Sequence, residues 1–112
     1  MPTASWREGD SRTLLLADSA EQDLAEIWSY IAEEASEATA NGFLTKLYDT
    51  CQKLLPFPHA HPERPRLAAG LRVTFHGAYA IYYQSDDDAV VVVRVLHGSR
   101  DIVAIVEQGG FG

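Results

Sequence analysis

Residues 16–35 read LADSAEQDLAEIWSYIAEEA, and this stretch decides how the first half of the chain folds. Its apolar residues recur at helical spacing, as they do in a helix that buries one face. The apolar stripe comprises Leu24, Ile27, Trp28, Ile31 and Ala35. Asp18 or Ser19, with an acidic or amide side chain three residues later, forms the pattern of a capping box. A helix that starts here predicts that the short apolar run before it, residues 12–17, is a strand.

A second helix is predicted directly after the first. Ser36 offers an N-cap, and a new apolar stripe follows it. That stripe comprises Phe43, Leu44, Leu47, Tyr48, Cys51, Leu54 and Leu55. Pro56 and Pro58 end the helix, and the very short turn between the two helices predicts an antiparallel hairpin. The loop over residues 56–70 has four prolines in its first ten positions, which predicts a stiff, extended path.

Three runs with the character of strands follow the loop. Residues 71–77 alternate apolar and polar side chains, residues 78–84 are rich in aromatics, and Gly77 predicts a tight hairpin between them. After a solvated turn at residues 85–88, residues 89–98 read AVVVVRVLHG. Such a β-branched run predicts a central strand that is buried on both faces.

The predicted order is β-α-α-β-β-β, which is an α+β fold. An N-terminal strand precedes an antiparallel helix hairpin, and the hairpin packs on an antiparallel sheet because both helices have an apolar stripe to bury. Residues 101–107 read as a short C-terminal helix. We assign residues 12–108 to a single domain, and residues 1–11 and 109–112 to flexible tails.

Composition limits the classes of function. The net charge is −7, which argues against strong direct binding of nucleic acid, because phosphate contacts need a surplus of cations. Residues 1–55 hold ten acids and four bases, whereas residues 56–112 hold six acids and five arginines. No apolar run is long enough to cross a membrane. Cys51 is the single cysteine, which excludes an internal disulfide and fits a cytoplasmic protein.

The combination of segments resembles the RelE/ParE superfamily, the small toxins of bacterial toxin–antitoxin pairs. The resemblance covers about residues 13–107 and rests on LADSAEQDLAEIWSYIAEEA, LLPFP, the GLR at residues 70–72, AYAIYYQ and RVLHGSRD. Ile27, Tyr30 and Ile31 in the first helix, together with the RVLHG-x-RD ending, look more like the ParE branch. The chain departs from the family in its acidic charge and in having no lysine after Lys53.

The resemblance implies the toxin of a type II toxin–antitoxin system that a partner antitoxin neutralises. For the ParE branch it implies DNA gyrase as the target, reached by protein binding. The alternative is a ribosome-dependent mRNA endoribonuclease of RelE type, and a third possibility is a toxin that has lost its activity. No cofactor is implied. Target contacts are expected at Arg72 and Arg100, and antitoxin contacts at Trp28, Ile31 and Tyr48, although core packing also explains large residues on helix stripes.

A nuclease would need a general base, a general acid and cations that stabilise the phosphorane. Arg72, Arg94, His97 and Arg100 could supply these groups if strands 71–76 and 89–97 are neighbours. The simpler interpretation is that Arg94 pairs with a helix carboxylate and that His97 hydrogen-bonds a backbone group at the strand end. We favour it because no late acid or tyrosine completes a catalytic set.

Two further groups could in principle do chemistry. His59 and His61 stand near Glu63 in the proline-rich loop, but no third protein ligand is clearly placed, so we expect no metal site. Cys51 lies on an apolar helix stripe and is expected to belong to the core rather than to act as a nucleophile.

Overall fold

The computed structural model describes residues 12–98, and the elements follow the predicted order. They are β1 (Thr13–Leu16), α1 (Asp18–Glu34), α2 (Glu37–Gln52), a 3-10 turn (Pro58–Ala60), β2 (Arg72–His76), β3 (Tyr79–Ser85) and β4 (Ala89–His97). The α+β prediction is confirmed. The predicted helix at residues 101–107 and both predicted tails lie outside the described residues. None of the helices between residues 12 and 98 is long and apolar enough to span a membrane.

The sheet has the strand order β1-β4-β3-β2. β2, β3 and β4 form the predicted antiparallel meander, and β4 is a central strand as expected. β1, to which the sequence assigned no partner, pairs with β4 in parallel, so that Leu14 lies opposite Val90 and Leu16 opposite Val92. The sheet is therefore mixed, and the pairing of β1 with β4 brings the two ends of the described chain together.

A β-bulge interrupts the pairing of β3 with β4. Tyr82 pairs with Arg94 and Tyr83 pairs with Val92, which leaves Val93 as an extra residue. Bulges of this kind bend a strand and re-aim the side chains beyond it. In this sheet the bulge lies directly before Arg94.

The two helices of the hairpin are capped differently at their N-termini. The backbone N–H of Thr39 donates to Oγ of Ser36 at 3.0 Å, which confirms the predicted cap of α2. The predicted capping box of α1 is wrong, because Ala17 is the N-cap and no side chain caps that end. Asp18 instead lies in the first turn of α1, where a carboxylate favourably opposes the helix dipole.

Apolar residues pack on both faces of the sheet. One cluster lies between the hairpin and the sheet, and includes Leu47, Ile81 and Val92. The second lies on the opposite face, where Leu67 and Ala68 of the loop before β2 pack against it. That loop is folded into turns, and the N–H of Arg64 donates to the carbonyl of Leu71 at 2.6 Å, so the predicted extended path is wrong.

Both strand connections follow the prediction. Gly77 has a φ of 57°, a left-handed conformation that glycine adopts without strain, at the turn between β2 and β3. In the turn before β4, a carboxylate oxygen of Asp86 accepts from the N–H groups of Asp88 and Ala89 at 2.7 and 2.8 Å. These hydrogen bonds lower the pKa of Asp86. They also explain why the three consecutive aspartates at residues 86–88 form a turn.

Candidate functional site

Arg94 is tied to helix α1 by a buried ion pair. Its Nε and Nη2 donate to the two carboxylate oxygens of Asp23 at 2.8 and 3.0 Å, a bidentate arrangement. The backbone N–H of Val95 donates to the same carboxylate at 2.9 Å. The interpretation that Arg94 pairs with a helix carboxylate is therefore confirmed.

The location of Asp23 explains this arrangement. β1 pairs with β4 only as far as Val92, and α1 begins just after β1 ends. The edge of β4 beyond Val92 would then expose backbone groups that need partners. Asp23 supplies one of those partners. Its hydrogen bond also raises the pKa of Arg94 above the usual value, so that the side chain stays a cation although it is only 14% exposed.

Arg72 lies on β2, which is an edge strand as expected, but its side chain turns back onto the protein. Nη1 donates to the backbone carbonyl of His61 at 2.7 Å, and the residue is half-buried. The expected outward-facing arginine at this position is thus partly engaged in holding the proline-rich loop.

The condition for a nuclease cluster is not met, because β3 separates β2 from β4. Arg72 lies in the row Arg72–Tyr83–Val92, whereas His97 lies in the row His76–Tyr79–His97. Four residues along a strand and two strand spacings put the Cα atoms of Arg72 and His97 about 16 Å apart. The structure brings Arg94 to Asp23 and His97 to Tyr79, but it does not bring Arg72 to either. Arg100 lies outside the described residues.

His97 is exposed at the end of β4 and packs against an aromatic side chain. Its ring lies edge-on to Tyr79, with 5.3 Å between the ring centroids. Tyr79 in turn packs edge-on against Phe43 of α2, at 5.4 Å. Burial is the larger cause of a raised pKa at Tyr79, and the nearby Tyr30 is the smaller cause. Tyr79 and His97 form one wall of a cavity of about 160 Å³ beside α1.

An apolar opening lies where the helix hairpin meets the sheet. It has a volume of about 330 Å³, and its lining is formed mainly by aliphatic and aromatic side chains. Those side chains include Leu16, Leu24, Leu44, Leu47, Tyr48 and Val92. Tyr48 is 46% exposed although it lies on the apolar stripe of α2. An apolar opening with a half-exposed tyrosine at its rim has the composition of a site for a partner.

A family model for the ParE toxin of type II toxin–antitoxin systems, parDE, matches residues 14–102. The chain belongs to the ParE toxin family. The fold agrees with a solved structure described as the chromosomal ParDE toxin–antitoxin system from P. aeruginosa, with a TM-score of 0.68. That match covers 79% of this chain and 97% of the other chain at 13% sequence identity, so it supports the fold alone. A comparison with curated proteins finds no match.

In this ParE-family chain, the three residues expected to contact an antitoxin lie in different surroundings. Tyr48 lines the apolar opening on the hairpin. Trp28 is half-buried, and its Nε1 donates to Oδ1 of Asn41 at 2.8 Å, which joins α1 to α2. Ile31 is partly buried and packs against the core under the hairpin. The structure thus brings Tyr48 together with Leu24 and Leu44, and it places Trp28 farther along the hairpin.

The sequence analysis did not identify Asp23 and Tyr83, which hold Arg94 and the proline-rich loop in place in this ParE-family chain. Asp23 is spaced three residues after Ala20 and four before Ile27, so it lies on the buried stripe of α1. A carboxylate in that position is costly unless it is paired, and Arg94 is the single charge within the β4 run. That combination is the signal that could have identified the pair.

The proline-rich loop is held over the sheet by a hydrogen bond from Tyr83. Its hydroxyl donates to the carbonyl of Pro58 at 2.6 Å, and its side chain is fully buried. His59 lies 3.4 Å from Oγ of Ser85. Among residues 12–98, no group of three or more histidine, cysteine or acidic side chains is arranged to hold a metal ion.

Tyr83→Phe is expected to lower the free energy of unfolding by about 1–3 kcal/mol, because it leaves the carbonyl of Pro58 without its buried donor. Urea denaturation monitored by circular dichroism would measure the change. Tyr48→Phe is the matched control, since it removes the same hydroxyl from a half-exposed side chain and should change stability by less than about 0.5 kcal/mol. Equal losses in the two variants would contradict a specific role for the hydrogen bond.

Proposed function

We propose that this chain is a toxin that inhibits DNA gyrase by protein binding, acts in the cytoplasm, and is neutralised by a cognate antitoxin. The observation that carries the proposal is the match of the ParE toxin family to residues 14–102, which is most of the chain. The family description names a type II toxin–antitoxin system and thereby implies an antitoxin partner.

The placement of the cationic residues supports inhibition by binding over cleavage of RNA. Arg94 is engaged in an ion pair with Asp23. Arg72 lies on the edge strand β2, which β3 separates from His97 on β4. A nuclease would need these groups within hydrogen-bonding reach of one phosphate. The net charge of −7 also gives the chain little long-range attraction for RNA, whereas it allows contact with a basic protein surface.

The apolar opening on the hairpin supports the antitoxin half of the proposal. An amphipathic segment of an antitoxin would place apolar side chains between Leu24 and Leu44 and cover the exposed part of Tyr48. Trp28 and Ile31 extend the same hairpin and are proposed as flanking contacts. Covering this surface would also stabilise the toxin, since binding to the folded state alone shifts the unfolding equilibrium.

Purified full-length chain is expected to inhibit supercoiling by DNA gyrase and to leave mRNA on translating ribosomes intact at physiological salt. Arg72→Ala and Arg100→Ala are the informative variants, because these arginines are the proposed target contacts. We expect each to weaken inhibition by about tenfold or more, the effect of losing one interface arginine. Arg66→Ala is the matched control, since Arg66 is an exposed arginine in the loop before β2.

The assay should be read together with thermal denaturation of each variant, because Arg72 also supports the loop through His61. Loss of inhibition with unchanged stability would support a target contact. Ribosome-dependent cuts in mRNA that disappear in both variants, with gyrase unaffected, would replace the proposal by the nuclease alternative. A chain that affects neither gyrase nor mRNA would point to a toxin that has lost its activity.

A further inference from the structure

Beside α1 and the end of β4 lies the second cavity, about 160 Å³ in volume, and its lining is acidic and aromatic. Glu26 and Tyr30 of α1 form one side, and Tyr79 and His97 of the sheet form the other, with Ile27 beneath them. This cavity shares Val95 with the apolar opening on the hairpin, but the acidic and aromatic side chains that line it do not line that opening. The cavity is separate from Arg72.

The charge around this cavity is unbalanced. α1 carries six acidic residues and no basic residue over Asp18–Glu34. Among residues 12–98, the arginine beside this face is Arg94, and it is engaged in the bidentate pair with Asp23. Glu26 is exposed beside that pair, so the described residues leave a negative field at the cavity after Arg94 is counted. A cationic group is the ligand that such a field attracts.

The aromatic walls select among cations. Tyr30 is 60% exposed, which is unusual for a large ring on a helix that packs against a sheet. Tyr79 is held in place by its edge contacts with Phe43 and His97, so its orientation is fixed before any ligand arrives. A guanidinium group is planar, stacks on aromatic rings and donates two parallel hydrogen bonds to a carboxylate. Glu26 beside two tyrosines offers those interactions together.

We propose that this cavity receives an arginine side chain from a protein partner. The guanidinium group lies against the rings of Tyr30 and Tyr79 and donates to the carboxylate of Glu26. The volume corresponds to about five water molecules, which accommodates a guanidinium group and its nearest methylene groups but not a folded element. The site therefore anchors one side chain at the margin of a larger interface, and the inference does not depend on which target the toxin inhibits.

The test is a titration of the full-length, ¹⁵N-labelled chain with the peptide acetyl-Gly-Arg-Gly-amide, followed by NMR. Saturable shifts are expected at the amides of Glu26, Tyr30 and His97. The peptide in which citrulline replaces arginine has the same shape without the charge, and it should give no saturable shift at these positions. The arginine peptide should bind more weakly as salt is added, because part of its attraction is electrostatic.

Two variants localise the binding. Glu26→Gln should weaken it by about two- to fivefold, the range for an exposed charge pair, while Glu21→Gln on another face of α1 should leave it unchanged. Equal effects of the two variants, or equal shifts with the citrulline peptide, would overturn the proposal. Binding of the corresponding lysine peptide with the same affinity would overturn the assignment to arginine, since an ammonium group gains less from planar stacking.

Discussion

Asp23→Ala is expected to lower the free energy of unfolding by about 3–5 kcal/mol, the usual cost of removing one partner from a buried ion pair. The substitution removes the bidentate acceptor of the Arg94 guanidinium and the carboxylate that accepts from the N–H of Val95. A domain of this size has a total stability of roughly 5–15 kcal/mol. The variant should therefore be marginally folded.

Urea denaturation of the purified variants measures this effect. Asp23→Asn keeps the shape of the side chain and one acceptor oxygen, so its loss should be smaller than that of Asp23→Ala. Glu21→Ala is the control for charge on the same helix, and it should change stability by less than about 0.5 kcal/mol because Glu21 is exposed. A loss of less than about 1 kcal/mol for Asp23→Ala would show that the pair behaves as a screened surface contact.

Alkylation of Cys51 in the folded chain is expected to be at least about a hundredfold slower at pH 8 than in the unfolded chain, because the thiolate is the reactive form. Burial raises the pKa of the Cys51 thiol from 9.0 to about 11, and the residue is only 1% exposed. The single cysteine makes the measurement unambiguous. Iodoacetamide labelling followed by mass spectrometry, with and without urea, gives the two rates.

The same pKa predicts how stability depends on pH. Well below pH 9.0 the thiol is almost fully protonated in both the folded and the unfolded chain, so it has little effect on stability. As the pH rises from there toward about 11, the unfolded chain ionises first and stability falls, by up to about 2–3 kcal/mol. Cys51→Ala should remove this part of the alkaline loss. Rapid alkylation of the folded chain at pH 8 would contradict a buried, protonated thiol.

The order of elements could be predicted from the sequence because each depends on local pattern. The valine run of β4 and the cap at Ser36 need no knowledge of the rest of the chain. The partner of β1 could not be predicted, because alternation identifies the buried face of a strand but not its neighbour. The predicted loop path was wrong because prolines restrict single residues, whereas the turns around Arg64 depend on hydrogen bonds to Leu71.

The candidate sites were less predictable because they combine residues that are distant in sequence. Asp23 and Arg94 are 71 residues apart, and only the crossing of α1 over the edge of β4 brings them together. The apolar stripes correctly identified Tyr48 as a hairpin residue. They could not show that Leu24 and Leu44 line an opening with it while Trp28 bonds to Asn41, since that depends on how the two helices cross.

The parallel pairing of β1 with β4 has a consequence for how the protein is made. A ribosome synthesises about 5–20 residues per second, so the 72 residues between these strands delay their pairing by roughly 4–14 s after β1 is complete. During that interval Leu14 and Leu16 have no strand to cover them, and the core under the hairpin lacks Val90 and Val92. The nascent chain must therefore stay incompletely folded until β4 emerges, and it presents apolar surface to chaperones or partners for the whole of that time.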